Sequence, residues 1–255
     1  MATLKVKTDS LNLRRSPEIK DGNIITALPL AQAVEVVDGN PANRFWEVTA
    51  IVNGSTLKGF VSAAFLRQSV SDAKEALISA AVKEWLRFER GDKKENQDPQ
   101  FKYVGEYWSK LGLNLNGRNR DVFWSAAFIS FVAREAGYNN FKFDDAHSTY
   151  VYDAVDKRKA SITTAPFWGF KVHEHKPQLG DLVCRWRTNA ITSIDSLPSG
   201  GFKSHCDIVI EIRDTEVRTL GGNVSDSVSI TAYPLNSSGF LRPENKVYGV
   251  LRNNF

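Results

Sequence analysis

Apolar and polar positions follow two different periods along the chain, and the change of period divides it. In residues 1–69 apolar residues come in short runs: Leu11-Asn12-Leu13, Ile24-Ile25, 33–37, 45–49 and Gly59-Phe60-Val61. Turn formers separate them at Ser16-Pro17, Asp21-Gly22, Asp38-Gly39-Asn40-Pro41 and Asn53-Gly54. Asn-Gly and Asp-Gly mark tight turns because glycine takes a positive φ without steric cost. About five short strands at this spacing predict a small β-barrel, with one short apolar stretch near 62–66 off the pattern.

From residue 71 the period lengthens to that of a helix. Ser71 or Asp72 is placed to cap the first helix, with Glu75 able to reach back, and an apolar stripe from Ala73 to Phe88 runs until Gly91. Asp98-Pro99 predicts a second helix, with Asp98 as cap and proline at the first helical position, ending at Gly112. A third is expected from about Phe123 to Ala136, stopped by Gly137. It has almost no polar face, so burial is expected. A fourth follows over 148–158, after the loop Asp144-Asp145-Ala146-His147-Ser148. Strands then take over at 181–187, 207–213, 216–220, 228–233 and 247–251, with 188–203 as a long exposed loop. Helices followed by an antiparallel sheet make an α+β layout. The expected division is therefore 1–69 and 70–255.

Composition changes this picture little but removes some function classes. The chain has 33 basic and 29 acidic residues in 255, a net +4. Residues 1–69 hold 8 basic and 6 acidic side chains, which leaves +2 for each part. No stretch concentrates the basic stripe that a nucleic-acid track needs, so no nucleic-acid partner is expected. No run approaches a membrane span, so no integral membrane segment is expected. The N-terminus, Met1-Ala2-Thr3-Leu4-Lys5, lacks an apolar signal core. Synthesis in a cytoplasm is expected, with any work at a cell wall or in a periplasm following export or lysis. Cys184 and Cys206 either pair across neighbouring strands or stay as two buried thiols.

Three segments carry chemistry. Ser125 opens the apolar third helix, where unpaired backbone N–H groups and the positive end of the dipole gather. A hydroxyl there needs a base to take its proton during attack. The same helix end offers donors for an oxyanion. His205, in Ser204-His205-Cys206-Asp207, is the candidate base, and Asn223, in Gly221-Gly222-Asn223, the residue to orient it. A three-residue turn at 213–215 pairs 212 with 216 and sets 205 opposite 223. A two-residue turn sets 205 opposite 224 and turns Asn223 away, unless a bulge at Gly221-Gly222 restores the alignment. Cys206 points with Ile208, Ile210 and Ile212 into a core. Asp207 shares the face of His205, as a supporting acid, a substrate contact or an alternative orienter.

These residues also carry resemblances. Leu11-Asn12-Leu13-Arg14-Arg15-Ser16-Pro17, Trp46-Glu47-Val48 and Gly59-Phe60-Val61-Ser62 resemble the bacterial SH3-like domain over residues 3–68. That resemblance implies a module that binds cell-wall material, or else a purely structural domain. Trp124-Ser125-Ala126-Ala127-Phe128-Ile129-Ser130, Gly180-Asp181-Leu182-Val183, His205-Cys206-Asp207-Ile208-Val209 and Gly221-Gly222-Asn223-Val224 resemble a bacterial family of unknown function. It is similar in turn to the papain-like NlpC-type and CHAP peptidases. This resemblance covers about 72–255 and implies cleavage of amide bonds in peptidoglycan, with Ser125 where those families carry cysteine, His205 as base and Asn223 as orienter. Trp124, Asp207, Asp144 and His147 are the expected substrate-binding or supporting residues, although Asp144 and His147 also suit a simple capping loop.

His173-Glu174-His175 is half of a metal site with no second spaced pair, so neither a metal nor any other cofactor is expected. The fold expected is an all-β SH3-like barrel followed by an α+β papain-like domain. The function expected is a peptidoglycan amidase or endopeptidase, a phage lytic enzyme or a secretion-system effector. An effector implies delivery machinery and an immunity protein as partners. The alternatives are a non-catalytic wall-binding protein with a degenerate peptidase fold, and a serine acyl-ester hydrolase or transferase.

Overall fold

The structure is a computed structural model that describes residues 2–40, 43–188, 190–242, 244 and 246–255. Pro41, in the turn expected at 38–41, and Asn189, in the loop expected at 188–203, lie outside the described residues. The chain forms two compact units, 1–75 and 76–255.

Among the described residues the first unit places seven strands in one antiparallel sheet. They are β1 (Thr3–Val6), β2 (Ser10–Arg14), β3 (Ile24–Pro29), β4 (Ala33–Asp38), β5 (Phe45–Val52), β6 (Ser55–Ser62) and β7 (Leu66–Gln68), in the order β3-β2-β6-β5-β4-β1-β7. β1 and β7, which pair with each other, are short additions to the five segments expected. The β5–β6 hairpin turns at Asn53-Gly54, with φ of 49° and 78° at the two central residues. Such a two-residue turn matches the strand twist only with positive φ at both positions. Leu4, Val6, Leu13, Leu28, Val48 and Val61 alternate into one buried cluster. The apolar stretch near 62–66 is a 3-10 turn over Ala63–Phe65.

α1 (Asp72–Arg87) contains the division between the units. Ser71 is its cap, accepting the Lys74 N–H at 3.5 Å. Glu75 does not close a capping box; it accepts from the Val70 N–H at 2.9 Å and pairs with Arg67 at 2.5 Å.

The second unit continues with α2 (Gln100–Ser109), α3 (Ser125–Glu135) and α4 (His147–Lys159). Pro99 sits at the cap of α2 rather than inside it, and the Asp98 carboxylate pairs with Lys102 instead of capping. Every residue of α3 from Ser125 to Ala133 is buried. Its end is closed by N–H bonds from Gly137 to the Arg134 carbonyl and from Tyr138 to the Ala133 carbonyl, each 3.0 Å. This doubled bond pattern satisfies the last carbonyls of a helix that stops at glycine.

Six antiparallel strands follow among the described residues: β8 (Phe167–Phe170), β9 (Leu182–Trp186), β10 (Ser204–Ile212), β11 (Glu216–Val224), β12 (Ser227–Pro234) and β13 (Val247–Asn253). Their order is β12-β11-β10-β9-β13-β8. β8 adds to the five strands expected; its aromatic run pairs along β13. α3 lies on β10 and β11, and α4 on β8 and β10, with α2 against α3. Val183, Val209, Val217 and Val250 belong to a second buried cluster. A bulge between Val209 and Glu211 interrupts the alternation of β10, so Ile212 is half exposed rather than packed in line with Cys206. Among the described residues no helix is long and apolar enough to cross a membrane.

Candidate active site

Ser125 is the first residue of α3, and no side chain caps that helix. The N–H groups of its first turn therefore have no intrahelical acceptor. Trp124 anchors this end rather than lining a binding surface. It is buried, stacks on Phe88 at 5.8 Å, lies 5.7 Å from Tyr107, and its indole donates to the Glu95 carboxylate. β11 is held close to the same helix start. A Cβ on Gly222 would sit 2.4 Å from Phe128 Cβ and 2.7 Å from Trp124 Cζ3.

The hydroxyl of Ser125 meets a histidine, but not the one expected. Ser125 Oγ lies 2.6 Å from His147 Nε2. His147 opens α4, and its other ring nitrogen bonds the Tyr150 hydroxyl one turn along. Ser130, in the middle of α3, ties that helix to the loop before α4. Its hydroxyl donates to the Asp144 carbonyl at 2.7 Å and accepts the Asp144 N–H at 3.0 Å. The Asp144 carboxylate accepts the Ala146 N–H at 2.8 Å, so its work is to shape the loop before His147. Burial pushes the His147 imidazolium well below the usual histidine range, reinforced by His205, Arg187 and Arg185. The ring is neutral at pH 7.

His205 stands behind this pair, its ring centroid 5.5 Å from that of His147. Both of its nitrogens are engaged. Nδ1 lies 2.7 Å from Arg187 Nη2, and Nε2 lies 2.6 Å from Asp207 Oδ1. A guanidinium only donates, so Nδ1 accepts and Nε2–H donates to Asp207. The expected bond between His205 and Ser125 is absent because neither nitrogen is free to make it. Asp207 also accepts the Tyr233 hydroxyl at 2.8 Å. Burial alone would raise the Asp207 carboxyl, but His205, Arg185 and the Tyr233 hydroxyl together hold it below the usual carboxylate range. Burial also lowers the His205 imidazolium against the pull of Asp207.

Asp207, not Asn223, orients His205. Residues two apart on a strand share a face, so Asp207 reaches its neighbour within β10. β11 meets β10 with Ile212 opposite Val217, and the bulge then brings Ile208 opposite Leu220. Asn223 falls in a second irregularity, between Gly221 and Val224, with φ of 56°. Its side chain makes none of the hydrogen bonds found among the described residues. The place beside His205 is filled by Asp207: a Cβ on Gly221 would lie 1.7 Å from Asp207 Oδ1 and 3.1 Å from His205 Nε2.

A cavity of about 510 Å³ opens onto Ser125 and His147. Phe123 and Phe202 give it apolar wall. Arg187 and Lys203 bring positive charge from the sheet side, and Asp121 and Asp145 negative charge from the loops before α3 and α4. Trp124, Asp144, His205, Asp207 and Asn223 are not in its wall.

A family profile described as "Uncharacterized protein conserved in bacteria (DUF2272)" matches residues 94–253. The chain belongs to the DUF2272 family. A search of curated proteins gave no match. Among solved structures this DUF2272 chain is similar to NlpC2 from Trichomonas vaginalis, at 11% identity and a TM-score of 0.31, covering 98% of this chain and 72% of that one. It is similar to NlpC1 from the same organism at 9% identity and a TM-score of 0.28, covering 94% and 68%.

In the DUF2272 chain Glu174 and His175 of the segment His173-Glu174-His175 are drawn into ordinary contacts. His175 Nε2 meets Asp181 at 2.7 Å, and Glu174 pairs with Arg158 at 2.8 Å. Among the described residues no group of three or more histidine, cysteine or acidic side chains is placed to hold a metal.

The two lowered histidines make a stability prediction. Below about pH 6.5 the unfolded chain binds protons at His147 and His205 that the folded chain refuses. Their contribution is therefore intact above that pH and is lost as pH falls. The loss runs at up to about 1.4 kcal/mol per pH unit for each ring. Urea unfolding between pH 7.5 and 5.5 should show a shallower decline in His147→Gln than in the wild type. Equal slopes would place the His147 titration elsewhere.

Proposed function

We propose that the second unit is a serine acyl hydrolase acting on amide bonds of bacterial cell-wall peptides, with Ser125 as nucleophile and His147 as general base. The observation that carries this reading is the 2.6 Å contact of Ser125 Oγ with His147 Nε2 at the uncapped start of α3, open to the cavity. A neutral His147 whose Nδ1–H donates to Tyr150 presents the lone pair of Nε2 to the serine hydroxyl. As Ser125 Oγ bonds to the substrate carbonyl carbon, its proton passes to Nε2. The carbonyl oxygen becomes an oxyanion facing the first-turn N–H groups of α3. His147 then protonates the leaving nitrogen, the carbon–nitrogen bond breaks, and water releases the acyl group by the reverse proton path.

The choice of cell-wall peptide rests on the sequence resemblance to NlpC-type and CHAP peptidases. On this reading the SH3-like first unit holds the enzyme at the wall, after export or lysis. His205, Asp207 and Tyr233 form the buried support beneath His147, and Arg187 reaches it from the cavity wall.

One observation favours a second reading, hydrolysis of esters. The partner of His147 Nδ1 is the Tyr150 phenol, which burial holds in its neutral form, rather than a carboxylate. A neutral partner stabilises the imidazolium less than an aspartate does, and ester leaving groups need less help than amines.

Purified peptidoglycan incubated with the protein should release soluble fragments whose new peptide ends are visible by mass spectrometry, and Ser125→Ala should release none. Turnover of a short-chain ester without fragments would select the second reading. Sedimentation with the wall and neither activity would leave a binding protein.

A further inference from the structure

Cys184 and Cys206 are fully buried and face each other across the centre of the second sheet. β9 and β10 pair with these two residues in direct register, and the sulfurs are 2.9 Å apart. Directly opposed strand residues hold their Cα atoms about 4.5–5.5 Å apart, inside the range a disulfide spans. No backbone movement is needed to join them. The same strands supply the residues around the site: His205 and Asp207 flank Cys206, and Arg187 follows the end of β9. The Tyr150 hydroxyl, which bonds His147, adjoins Cys206, and the Tyr248 hydroxyl adjoins Cys184.

We infer that Cys184 and Cys206 form a structural disulfide when the chain folds in an oxidising environment, locking β9 to β10 beneath the site. The two thiols give up two protons and two electrons to a low-molecular-weight disulfide such as oxidised glutathione. One cysteine thiolate attacks that disulfide and expels one glutathione thiolate. The second cysteine then attacks the mixed disulfide, closes the protein bond and expels the other. Burial pushes the Cys184 thiol well up, and both sulfurs are closed to solvent. The reaction therefore belongs to folding, while the strands are still open, and the folded thiols are inert to the same oxidant. The cross-link is independent of whether Ser125 performs hydrolysis.

The test uses the full chain refolded in a buffer of reduced and oxidised glutathione, beside a sample refolded in reductant. After denaturation and alkylation, the oxidised sample should carry no alkylated cysteine and yield one peptide pair joined through residues 184 and 206. Closing a loop across 22 residues should raise its melting temperature by about 10 °C over the reduced sample. Cys206→Ala should melt at the same temperature in both buffers. Oxidant added to the folded reduced protein should leave both thiols alkylatable on denaturation. Two alkylated cysteines after oxidative refolding, or a bond between two chains, would overturn the inference.

Discussion

Ser125→Ala and His147→Gln should each lower acyl-bond cleavage by about 10³-fold or more, and the double variant should fall no further than either single one. The reason is geometric. One proton moves between Ser125 Oγ and His147 Nε2, and removing either end removes the same step. His205→Gln should behave differently. It leaves the Ser125–His147 contact in place but takes the imidazole from between Arg187 and Asp207, which leaves a buried carboxylate short of a donor. Its effect should be on stability, by about 3 kcal/mol or more, with activity falling in step with the folded fraction. Steady-state rates on peptidoglycan or an ester, read beside urea midpoints, separate the two outcomes. A stable His205→Gln protein without activity, beside an active His147→Gln, would return the base to β10.

The pH profile supplies a second reading of the same pair. His147 is held well below the usual histidine range by burial. The acid limb of kcat/KM should therefore lie below about pH 6.5, the ordinary value for histidine. A limb at or above that value would point to a solvated base.

Much of this site was legible in the chain, and what was not has particular causes. Ser125 could be placed because an apolar run with a small polar residue at its head is a local pattern. His205 and Asp207 could be placed on one face because strands alternate with period 2. The pairing of Ser125 with His147 was not legible, because it depends on how the loop before α4 is held against the middle of α3 through Ser130 and Asp144. A local signal did exist. His147 and Tyr150 stand three apart at the head of a helix, a spacing that brings side chains together. The bulge near Val209 does bring β11 into the register that sets 205 against 223, with Ile208 opposite Leu220, but Asn223 falls in the irregularity after Gly221, with φ of 56°, and Asp207 already fills the place beside the ring. The loop before the nucleophile helix and β8 lay outside any strong period. Arg187 and Tyr233 gave no signal at all; each matters only through partners on other strands.

The glycines at 221 and 222 are where packing and site meet, so alanine there should be more costly than at almost any other surface of this sheet. At Gly221 the added Cβ would lie 1.7 Å from Asp207 Oδ1, and the carboxylate cannot retreat without abandoning His205 or Tyr233. At Gly222 the Cβ would lie 2.4 Å from Phe128 Cβ and 2.5 Å from its Cγ, on a helix buried along its first nine residues. Neither neighbour is the free end of a flexible chain, so strand and helix must separate. Overpacking of this kind costs about 1–3 kcal/mol, and disturbing the buried Asp207 pair adds to it. Gly221→Ala and Gly222→Ala should each lose about 3 kcal/mol or more, with a melting temperature lower by about 10 °C. Gly105→Ala is the control: it lies within α2, its nearest outside atom would be 3.5 Å away, and alanine favours the helix by about 0.5–1 kcal/mol. Thermal and urea unfolding of the three variants decide the matter. If Gly222→Ala unfolded at the wild-type midpoint, α3 would not rest on β11 as described, and the position of Ser125 would have to be drawn again.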